Sequence, residues 1–433
     1  MRFVLPAPFG PVTTLIPRSS GVSSRRNVRT FVSERRAICI PGSRPPRLSP
    51  RSPQGDRRGL PLTIAPGTVG TGDGPRPDQA REEHPMSDQP IRVGLIGAGA
   101  NTRLLHIPGF QAIDGVEVVA VCNRSTESGQ RVADEFGIPR VVTDPDEIYS
   151  ADDIDAVCIG TWPYRHSEFT VRGLNAGKHV LCEARMATDV ARARAMLIAA
   201  QARPDLVAQL VPAPWDLASW RTVRRLLGEG ALGEVREVHV TMVTPGAMNP
   251  RRPLHWREHS EYSGFNIMQF GIVAEVVQRW LGPTERVLAD AATYVTSRRD
   301  EESGEDYAIE IPDSLGVFAR LANGARATYL VSAVTDAPRV PNGIALHGTD
   351  ATLHWWADGD RLELAPRGEA PQPLDPDPGT AGSWRVEADF IDSIRDGAPV
   401  ELTNFEDGVQ YMQVIEATWR SWSEGRPVDI ASV

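Results

Sequence analysis

Short apolar runs alternate with longer amphipathic stretches through residues 91–211. We predict buried strands at 91–96, 116–122, 140–142, 154–159, 179–182 and 206–211. The stretches between them have helical periodicity. It predicts a helix ending near residue 113 and others at 125–136, 145–150, 166–176 and 188–201. Regular alternation of strands and helices predicts a doubly wound parallel sheet, an α/β Rossmann fold.

The pattern changes after residue 213, where several strands follow one another directly. Strands are predicted at 234–243, 286–296, 311–321, 325–333, 341–348 and 350–356, and helices at 217–228, 384–396 and 405–423. Asn323-Gly324 is a typical tight hairpin turn, and 366–382 is rich in Pro and Gly, which is typical of a loop. This half is predicted to be an α+β domain with a large, mostly antiparallel open sheet.

The chain therefore divides into three parts, 1–85, 86–212 and 213–433. Residues 1–85 are rich in Pro, Gly, Ser and Arg and show no sustained periodicity, so we expect disorder there. Met86 directly precedes the first strand, and we favour it as the true start, with the preceding stretch an upstream reading frame included in error. We predict a nucleotide-binding domain over 86–212 and a substrate and oligomerisation domain over 213–433.

Charge and composition argue against two classes of binding partner, nucleic acids and membranes. The net charge of −10 argues against a nucleic-acid partner, because phosphate binding needs a basic surface. No apolar run has the length needed to cross a bilayer, so we predict a cytoplasmic protein without a membrane partner. Cys122, Cys158 and Cys182 lie in or beside apolar runs and are interpreted as buried hydrophobic residues. Cys39 lies in the first part of the chain.

A glycine-containing turn joins the first strand to the first helix. The first glycine allows a sharp bend, and the second lets a pyrophosphate approach main-chain N–H groups at the helix start. Thr102 occupies the position of the third small residue in the dinucleotide-binding fingerprint. The predicted cofactor contacts in this turn are Gly97, Gly99, Ala100, Asn101 and Thr102.

The second strand ends in Asn123-Arg124-Ser125, and these residues are predicted to contact the adenosine ribose. NAD-binding domains commonly place a carboxylate here to hold the ribose 2′-hydroxyl. With no carboxylate to repel a phosphate and an arginine beside the site, the sequence favours NADP(H), with NAD(H) as the alternative. A solvated surface charge is the other interpretation of Arg124.

Ligands of doubly wound sheets bind beyond the carboxyl ends of the strands. The loops at 161–166 and 183–186 follow two further predicted strands, so they face the same crevice as the glycine turn. Thr161, Trp162 and Glu183 are the predicted cofactor contacts there.

Three segments resemble the family of glucose–fructose oxidoreductase, inositol dehydrogenase and MocA. They are IRVGLIGAGANTRLLHIPGF at 91–110, TWPYRH at 161–166 and AGKHVLCEARM at 176–186. The resemblance implies a two-domain, often oligomeric dehydrogenase. Such enzymes move a hydride between nicotinamide and a hydroxyl-bearing carbon, typically of a sugar or cyclitol.

The usual catalytic residues of that family are replaced here. Ala184 stands at the position of the lysine in the family's E-K-P motif. Aligned on Gly271, Gln269 and Val273 stand at the Asp and His of its D-x-x-x-H motif. Neither Gln nor Val can act as a proton acid or base. Lys178 is the only lysine in the chain, so no other lysine can replace the missing one.

Other residues must then handle the proton. The family counterpart of His166 lies near the active site, so we predict that His166 is catalytic, with Tyr164 sharing its proton. The predicted substrate contacts are Arg165, Arg185, His255, His259 and Gln269. A structural hydrogen-bonding role is the alternative for His166, and a position on a solvated, charged loop is the alternative for His255 and His259. The His and Glu spacing at 255–261 does not match a zinc pattern, and no metal site is predicted.

The favoured function is an NAD(P)-dependent oxidoreductase acting on a hydroxyl-bearing carbon of a sugar, cyclitol or similar polar small molecule. Two alternatives stay open. One is a dinucleotide-binding sensor or scaffold without redox turnover, and the other is a redox-neutral enzyme that retains its NAD(P). The open sheet and the resemblance also predict a homo-oligomer, a dimer or tetramer.

Overall fold

The computed structural model describes residues 89–336, 341–379 and 382–433. The expectations for residues 1–85, Cys39 included, lie outside the described residues.

The first half of the described chain contains a six-stranded parallel sheet with the order β3-β2-β1-β4-β5-β6. Its strands are β1 (Ile91–Ile96), β2 (Val116–Cys122), β3 (Arg140–Val142), β4 (Ala156–Ile159), β5 (His179–Cys182) and β6 (Ala208–Leu210). The strand order reverses between β1 and β4, which opens a crevice at their carboxyl ends. The predicted Rossmann fold is confirmed.

Helices connect these strands. They are a π-helical turn (Thr102–His106) continuing into α1 (Ile107–Gln111), then α2 (Thr126–Phe136), α3 (Pro145–Tyr149), α4 (Pro163–Asn175) and α5 (Val190–Gln201). Side-chain caps define where two of them begin. Ser125 accepts a hydrogen bond from the N–H of Ser128 at the start of α2, and Asp189 accepts one from Arg192 at the start of α5.

The second sheet contains nine described strands in the order β16-β15-β14-β13-β7-β12-β11-β8-β17. Only the β7–β12 pair is parallel among these neighbours, so the predicted, mostly antiparallel sheet is confirmed. The strands are β7 (Val235–Val243), β8 (Thr284–Ala292), β11 (Ser314–Leu321), β12 (Arg326–Ser332), β13 (Gly343–Gly348), β14 (Ala351–Trp356), β15 (Arg361–Pro366), β16 (Gln372–Leu374) and β17 (Val428–Asp429). A separate hairpin pairs β9 (Ser297–Arg299) with β10 (Asp306–Ala308).

The strands that the sequence did not predict are β9, β10, β15, β16 and β17. Four of them span only two or three residues, too few for an alternating pattern to be recognised. The predicted loop at 366–382 contains one of these, β16, as the outer strand of the sheet.

The remaining helices cover one face of the second sheet or return to the first. They are α6 (Trp220–Gly228), a 3₁₀ turn (Trp256–Glu258), α7 (Ser260–Ser263), α8 (Phe270–Leu281), α9 (Val386–Asp396), α10 (Phe405–Glu424) and a last 3₁₀ turn (Ile430–Ser432). Phe270 of α8 packs edge-on against Tyr329 of β12.

Helix α9 joins the apolar core of the first sheet rather than that of the second. Its buried residues Val386, Phe390 and Ile391 share one core with Val93 of β1 and Ile107 of α1. A segment far along the chain is thereby placed beside the nucleotide crevice. None of the helices in the described ranges has both the length and the apolar character needed to cross a membrane.

Candidate functional site

The glycine turn after β1 packs tightly against the loop after β4 on one side and is exposed on the other. Gly97 has φ of 85°, and a Cβ there would lie 2.7 Å from Cγ2 of Thr161. Gly99 is exposed, and the nearest atom to a Cβ there would be the carbonyl oxygen of Gly160, at 3.7 Å. Ala100 and Asn101 are exposed as well. The turn therefore leaves room for a pyrophosphate, and a dinucleotide fits the residues present.

Two predicted cofactor residues hold the turn in shape. The hydroxyl of Thr102 donates to the carbonyl oxygen of Gly97, and Oδ1 of Asn123 accepts from the N–H of Ala98 at 2.9 Å. Gly160 completes the packing, because a Cβ there would lie 2.0 Å from Oγ1 of Thr102. Sequence analysis missed Gly160, although a glycine directly after a strand that faces the turn is a recognisable signal.

Arg124 lies at the mouth of the crevice. It is exposed, and its guanidinium lies 5.7 Å from the centre of the Trp162 ring, a cation–π contact. Trp162 in turn stacks on Trp256 of the second half at 5.8 Å. Ser125 serves as the helix cap described above. Arg124 is thus the member of the Asn123–Ser125 triplet that is open to a ligand.

Glu183 follows β5 and belongs to a buried chain of charges that the sequence did not predict. Its Oε1 lies 3.1 Å from Nε2 of His106, and Nδ1 of the same ring lies 2.5 Å from Oε1 of Glu387. His106 is fully buried, and Glu387 is 3% exposed. Trp384 donates its Nε1–H to Glu387, and a Cβ on Gly109 would lie 2.7 Å from that carboxylate.

The two carboxylates determine the charge of the imidazole. Burial by itself lowers the pKa of His106, but its hydrogen bonds to Glu183 and Glu387 outweigh that effect and raise the pKa to about 9. Burial also opposes ionisation of Glu183, yet the hydrogen bond from His106 lowers the pKa of that carboxyl. At neutral pH the pair is an imidazolium beside a carboxylate.

His166 is fully buried in α4, and both of its ring nitrogens face main-chain carbonyl oxygens. Nδ1 lies 3.0 Å from the oxygen of Arg185, and Nε2 lies 2.9 Å from that of Thr161. Burial lowers its pKa. The ring joins the loops after β4 and β5 and offers no free nitrogen to a substrate in this arrangement, which differs from the predicted proton-transfer role.

Tyr164 and Arg165 lie on the outer side of the same loop. The Tyr164 ring packs against Tyr262 at 5.1 Å, and Arg165 is exposed and pairs with Glu168 at 2.6 Å. Arg165 also lies over the Tyr164 ring at 5.2 Å. Within the described chain, neither residue forms a hydrogen bond or ion pair with Arg185, the other arginine that was predicted to bind substrate.

Arg185 crosses from the loop after β5 to the start of α8. It is 5% exposed, its Nε donates to Oδ1 of Asn266 at 3.0 Å, and its Cδ would lie 2.8 Å from a Cβ on Gly271. Burial and the positive charge of Arg257 lower the pKa of Arg185 to about 10. The peptide bond between Ala184 and Arg185 is cis. Arg185 therefore faces the helix start that carries Gln269.

His255 and His259 frame the segment that carries Arg257. Nδ1 of His255 accepts from the N–H of Arg257 at 3.2 Å, and burial together with Arg257 and Arg252 lowers the pKa of His255 to about 4. The His259 ring stacks between Tyr262 at 4.1 Å and Tyr307 at 4.3 Å. Both imidazoles shape this segment from within.

Gln269 stands at the start of α8 and is 8% exposed. Its Oε1 is buried and has no hydrogen-bond partner among the described residues. Glu275, further along α8, accepts hydrogen bonds from Arg279 and Thr403. The side chain of Lys178 donates to two carbonyl oxygens at the opposite end of β5, so it cannot reach the crevice.

Family models match both halves of the chain. Residues 91–209 match an oxidoreductase family described as having an NAD-binding Rossmann fold, and residues 220–354 match the GFO/IDH/MocA C-terminal domain. The first match spans β1 to β5 and most of β6, and the second spans β7 to β13 and most of β14.

Individual relatives are more distant. The chain is 24% identical to levoglucosan dehydrogenase of Pseudarthrobacter phenanthrenivorans over 395 residues, covering 80% of this chain and 99% of that protein. It is 35% identical over 157 residues to 1,5-anhydro-D-fructose reductase of Ensifer adhaerens, covering 36% of this chain and 46% of the reductase. Several curated relatives match over only about half of their length, among them an oxidoreductase of Synechocystis at 56%.

Solved structures share the fold. A levoglucosan dehydrogenase in complex with NADH and levoglucosan superposes with a TM-score of 0.72 at 21% identity, covering 79% of this chain and all of that chain. Likeness at this level of identity shows the architecture alone.

Proposed function

The chain belongs to the GFO/IDH/MocA oxidoreductase family, and from that premise we propose that it is an NAD(P)-dependent oxidoreductase. Its substrate is a sugar, cyclitol or similar polar small molecule, and the reacting carbon bears a hydroxyl group. The supporting observation is the open turn at Gly99, which faces Glu183 across the ends of β1, β4 and β5. A related levoglucosan dehydrogenase is described in complex with NADH and levoglucosan.

The nucleotide is bound by the exposed turn, with Trp162 and Arg124 at its mouth. We assign the preference to NADP(H), with NAD(H) as the alternative, because the exposed guanidinium of Arg124 is available to a 2′-phosphate. When bound, the nicotinamide supplies the hydride acceptor or donor. Proton transfer and substrate binding depend on the residues of the chain.

Glu183 handles the substrate proton, with His106 behind it. When a CH–OH group is oxidised to a carbonyl, Glu183 would take the proton of the hydroxyl oxygen, and a bound oxidised nicotinamide would supply the acceptor for the hydride. In the reverse direction, the proton held by the His106–Glu183 pair passes to the carbonyl oxygen. Because the pKa of His106 is about 9, the pair holds this proton at neutral pH and suits reduction of a carbonyl.

Substrate hydroxyls are held from the other wall of the crevice. The buried Oε1 of Gln269 lacks a donor among the described side chains, and a substrate hydroxyl supplies one. His166 and Tyr164 position the loop after β4 in this proposal. Sequence analysis had assigned them proton transfer, and a test that separates the two roles is given in the Discussion.

We also propose a homo-oligomer, a dimer or tetramer, formed through the open face of the second sheet. Leu288, Phe318 and Leu330 lie on three neighbouring strands of that face and are 41%, 65% and 54% exposed. Adjacent apolar side chains of this size are typical of a covered surface.

Nucleotide binding tests the proposal most directly. Purified protein is titrated with NADP⁺ and NAD⁺, and reduced nicotinamide absorbance is followed with a panel of sugars and polyols. Gly99→Leu should abolish binding, because its side chain would fill the space above the turn. Gly228→Leu is the matched control, since a Cβ there meets no atom within 4 Å.

The outcomes separate the functions. Exchangeable nucleotide with substrate-dependent absorbance supports the dehydrogenase. Nucleotide that is released only on denaturation, without turnover of added NAD(P), indicates a redox-neutral enzyme. Binding without activity on the whole panel indicates a sensor or scaffold. If neither nucleotide binds at millimolar concentration, the proposal is wrong.

A further inference from the structure

Two arginines of the crevice lack an anionic partner. The terminal nitrogens of Arg185 and the whole guanidinium of Arg257 have no hydrogen bond and no ion pair in the part of the chain that the structure describes. Arg185 is 5% exposed, and its guanidinium is fixed by the single bond from Nε to Asn266. Arg257 lies over the Trp256 ring at 4.3 Å, which holds its side chain in place.

Two nearby arginines that are also largely withdrawn from solvent do have a carboxylate partner. Arg252 pairs with Glu258 at 2.6 Å, and Arg298 pairs with the same carboxylate at 2.8 Å. Arg257 is the residue just before Glu258, yet that carboxylate serves the other two. The segment therefore contains a carboxylate that neutralises its structural arginines and leaves Arg257 available.

The two arginines reach the crevice from neighbouring segments. Arg257 lies over Trp256, whose ring stacks on Trp162 of the loop after β4, and Arg185 lies on the loop after the adjacent strand β5. The charge of Arg257 is second only to burial in lowering the pKa of Arg185. Burial likewise lowers the pKa of Arg257, and the negative charge of Glu183 opposes that shift. Both arginines thus share their surroundings with the carboxylate proposed above to handle the proton. A buried cation without a partner is unfavourable, so an anion from outside the chain would stabilise this arrangement.

We infer that Arg185 and Arg257 form an anion-binding site beside Glu183, and that the substrate is a polyhydroxy acid whose carboxylate lies between the two guanidinium groups. This inference rests on the proposed function and narrows its substrate class. The planar fork of a guanidinium matches a carboxylate through paired hydrogen bonds.

Charge balance favours a carboxylate over a phosphate. Arg185, Arg257 and the His106 imidazolium carry three positive charges, and the carboxylates of Glu183 and Glu387 carry two negative ones. A single positive charge remains in the crevice, which a monoanion neutralises. A dianionic phosphate beside Glu183 would leave a net negative charge in a poorly solvated space, which is unfavourable. The buried oxygen of Gln269 is suited to a hydroxyl donor on the same molecule.

The test compares acids with their uncharged counterparts. Binding of D-gluconate and D-glucuronate to the NADP⁺-loaded protein is measured by titration calorimetry against D-glucitol and D-glucose, with D-glucose 6-phosphate as the phosphate arm. The acids should bind at least about tenfold more tightly, since a charge-assisted hydrogen bond contributes roughly 1.5–3 kcal/mol. Arg257→Gln should remove that preference. The Arg257 side chain donates no hydrogen bond within the described chain, so the fold should be retained.

Further variants keep the result interpretable. Arg185→Gln should have the same effect as Arg257→Gln, and Arg185→Lys should retain part of the preference because it keeps the charge. Arg131→Gln, on an exposed arginine of α2 paired with Glu127, is the control and should bind acids normally.

The inference is overturned if acids and neutral sugars bind equally, if the phosphate binds more tightly than either acid, or if Arg257→Gln weakens NADP⁺ binding in place of acid binding. Turnover of neutral sugars alone would overturn this inference and leave the proposed function intact. Failure to bind any dinucleotide would overturn the proposed function first.

Discussion

Oε1 of Glu387 lies 2.5 Å from Nδ1 of His106, although the two residues are 281 positions apart in the chain. The contact places a C-terminal helix against the nucleotide-binding half, directly behind Glu183. The contact also helps to keep the fully buried imidazole of His106 protonated, which affects both stability and catalysis.

The first prediction concerns stability as a function of pH. The pKa of His106 in the folded protein, about 9, exceeds the ordinary histidine value of 6.5. The folded protein therefore holds a proton that the unfolded chain releases, and the stabilisation is full below about pH 6.5 and lost as pH rises through about 9. The loss should be on the order of 3 kcal/mol. Urea unfolding across this range measures it.

His106→Gln should flatten that pH dependence, and His239→Gln, on a half-exposed histidine of β7, should leave it unchanged. Equal slopes for wild type and His106→Gln would contradict the assigned charge state.

The second prediction concerns proton transfer. Glu183→Gln should lower kcat by roughly 10²–10⁴-fold, the usual contribution of a general acid or base, while the Kd of the nucleotide changes little. Carbonyl reduction by the wild type should fall as pH rises through about 9, as His106 loses its proton. Glu387→Gln should shift this fall in the rate of carbonyl reduction to lower pH. Steady-state rates and nucleotide titrations measure these effects. Glu168→Gln, at an exposed helix position, is the control, and an unchanged kcat in Glu183→Gln would exclude the role.

The third prediction separates two roles of His166. If the ring only joins the two loops, His166→Asn should lower the free energy of unfolding by about 1–3 kcal/mol, because carbonyl oxygens lose their partner. The ionisations in the pH profile of kcat/KM should persist. Chemical denaturation and the pH profile are measured together. Loss of one ionisation at unchanged stability would instead support the proton-transfer role predicted from the sequence.

The fourth prediction concerns the nucleotide. Arg124→Ala should weaken NADP⁺ at least about tenfold and leave NAD⁺ within a few-fold, because one charge-assisted contact to the 2′-phosphate is removed. Fluorescence titration, with Trp162 beside the site, provides the readout. Arg131→Ala, on the helix that begins just after Arg124 and paired with Glu127, is the matched control. Equal losses for both nucleotides would mean that Arg124 contacts a group common to them.

The fifth prediction concerns assembly. Phe318 opposes Leu288 on β8, at the centre of the exposed apolar group on the second sheet. Phe318→Glu should dissociate the oligomer, because it would place a charge in an apolar interface. Light scattering after size exclusion gives the mass. Ile198→Glu, at a 66% exposed site on α5, should not change the mass. A monomeric wild type would contradict the proposed assembly.

Much of the fold follows from local pattern. Buried strands such as Ile91–Ile96 have near-continuous apolar sequences, the Gly97 turn needs a positive φ, and the alternation of strands with helices leaves few topologies. The carboxyl ends of parallel strands meet at one edge, so the neighbourhood of Gly99, Thr161 and Glu183 could be predicted from the order of elements alone.

The site itself depended on contacts that no local pattern encodes. His106 lies within a motif that was interpreted only as a helix, and its partner Glu387 lies on a helix that was assigned to the other domain. Arg252 forms an ion pair with Glu258 and Arg257 does not, and this difference depends on side-chain geometry. His166 matched a family motif. Only the structure showed that both of its ring nitrogens face main-chain carbonyl oxygens. Sequence periodicity specifies which faces are buried, whereas the charge and availability of a buried group depend on neighbours that folding brings from distant parts of the chain.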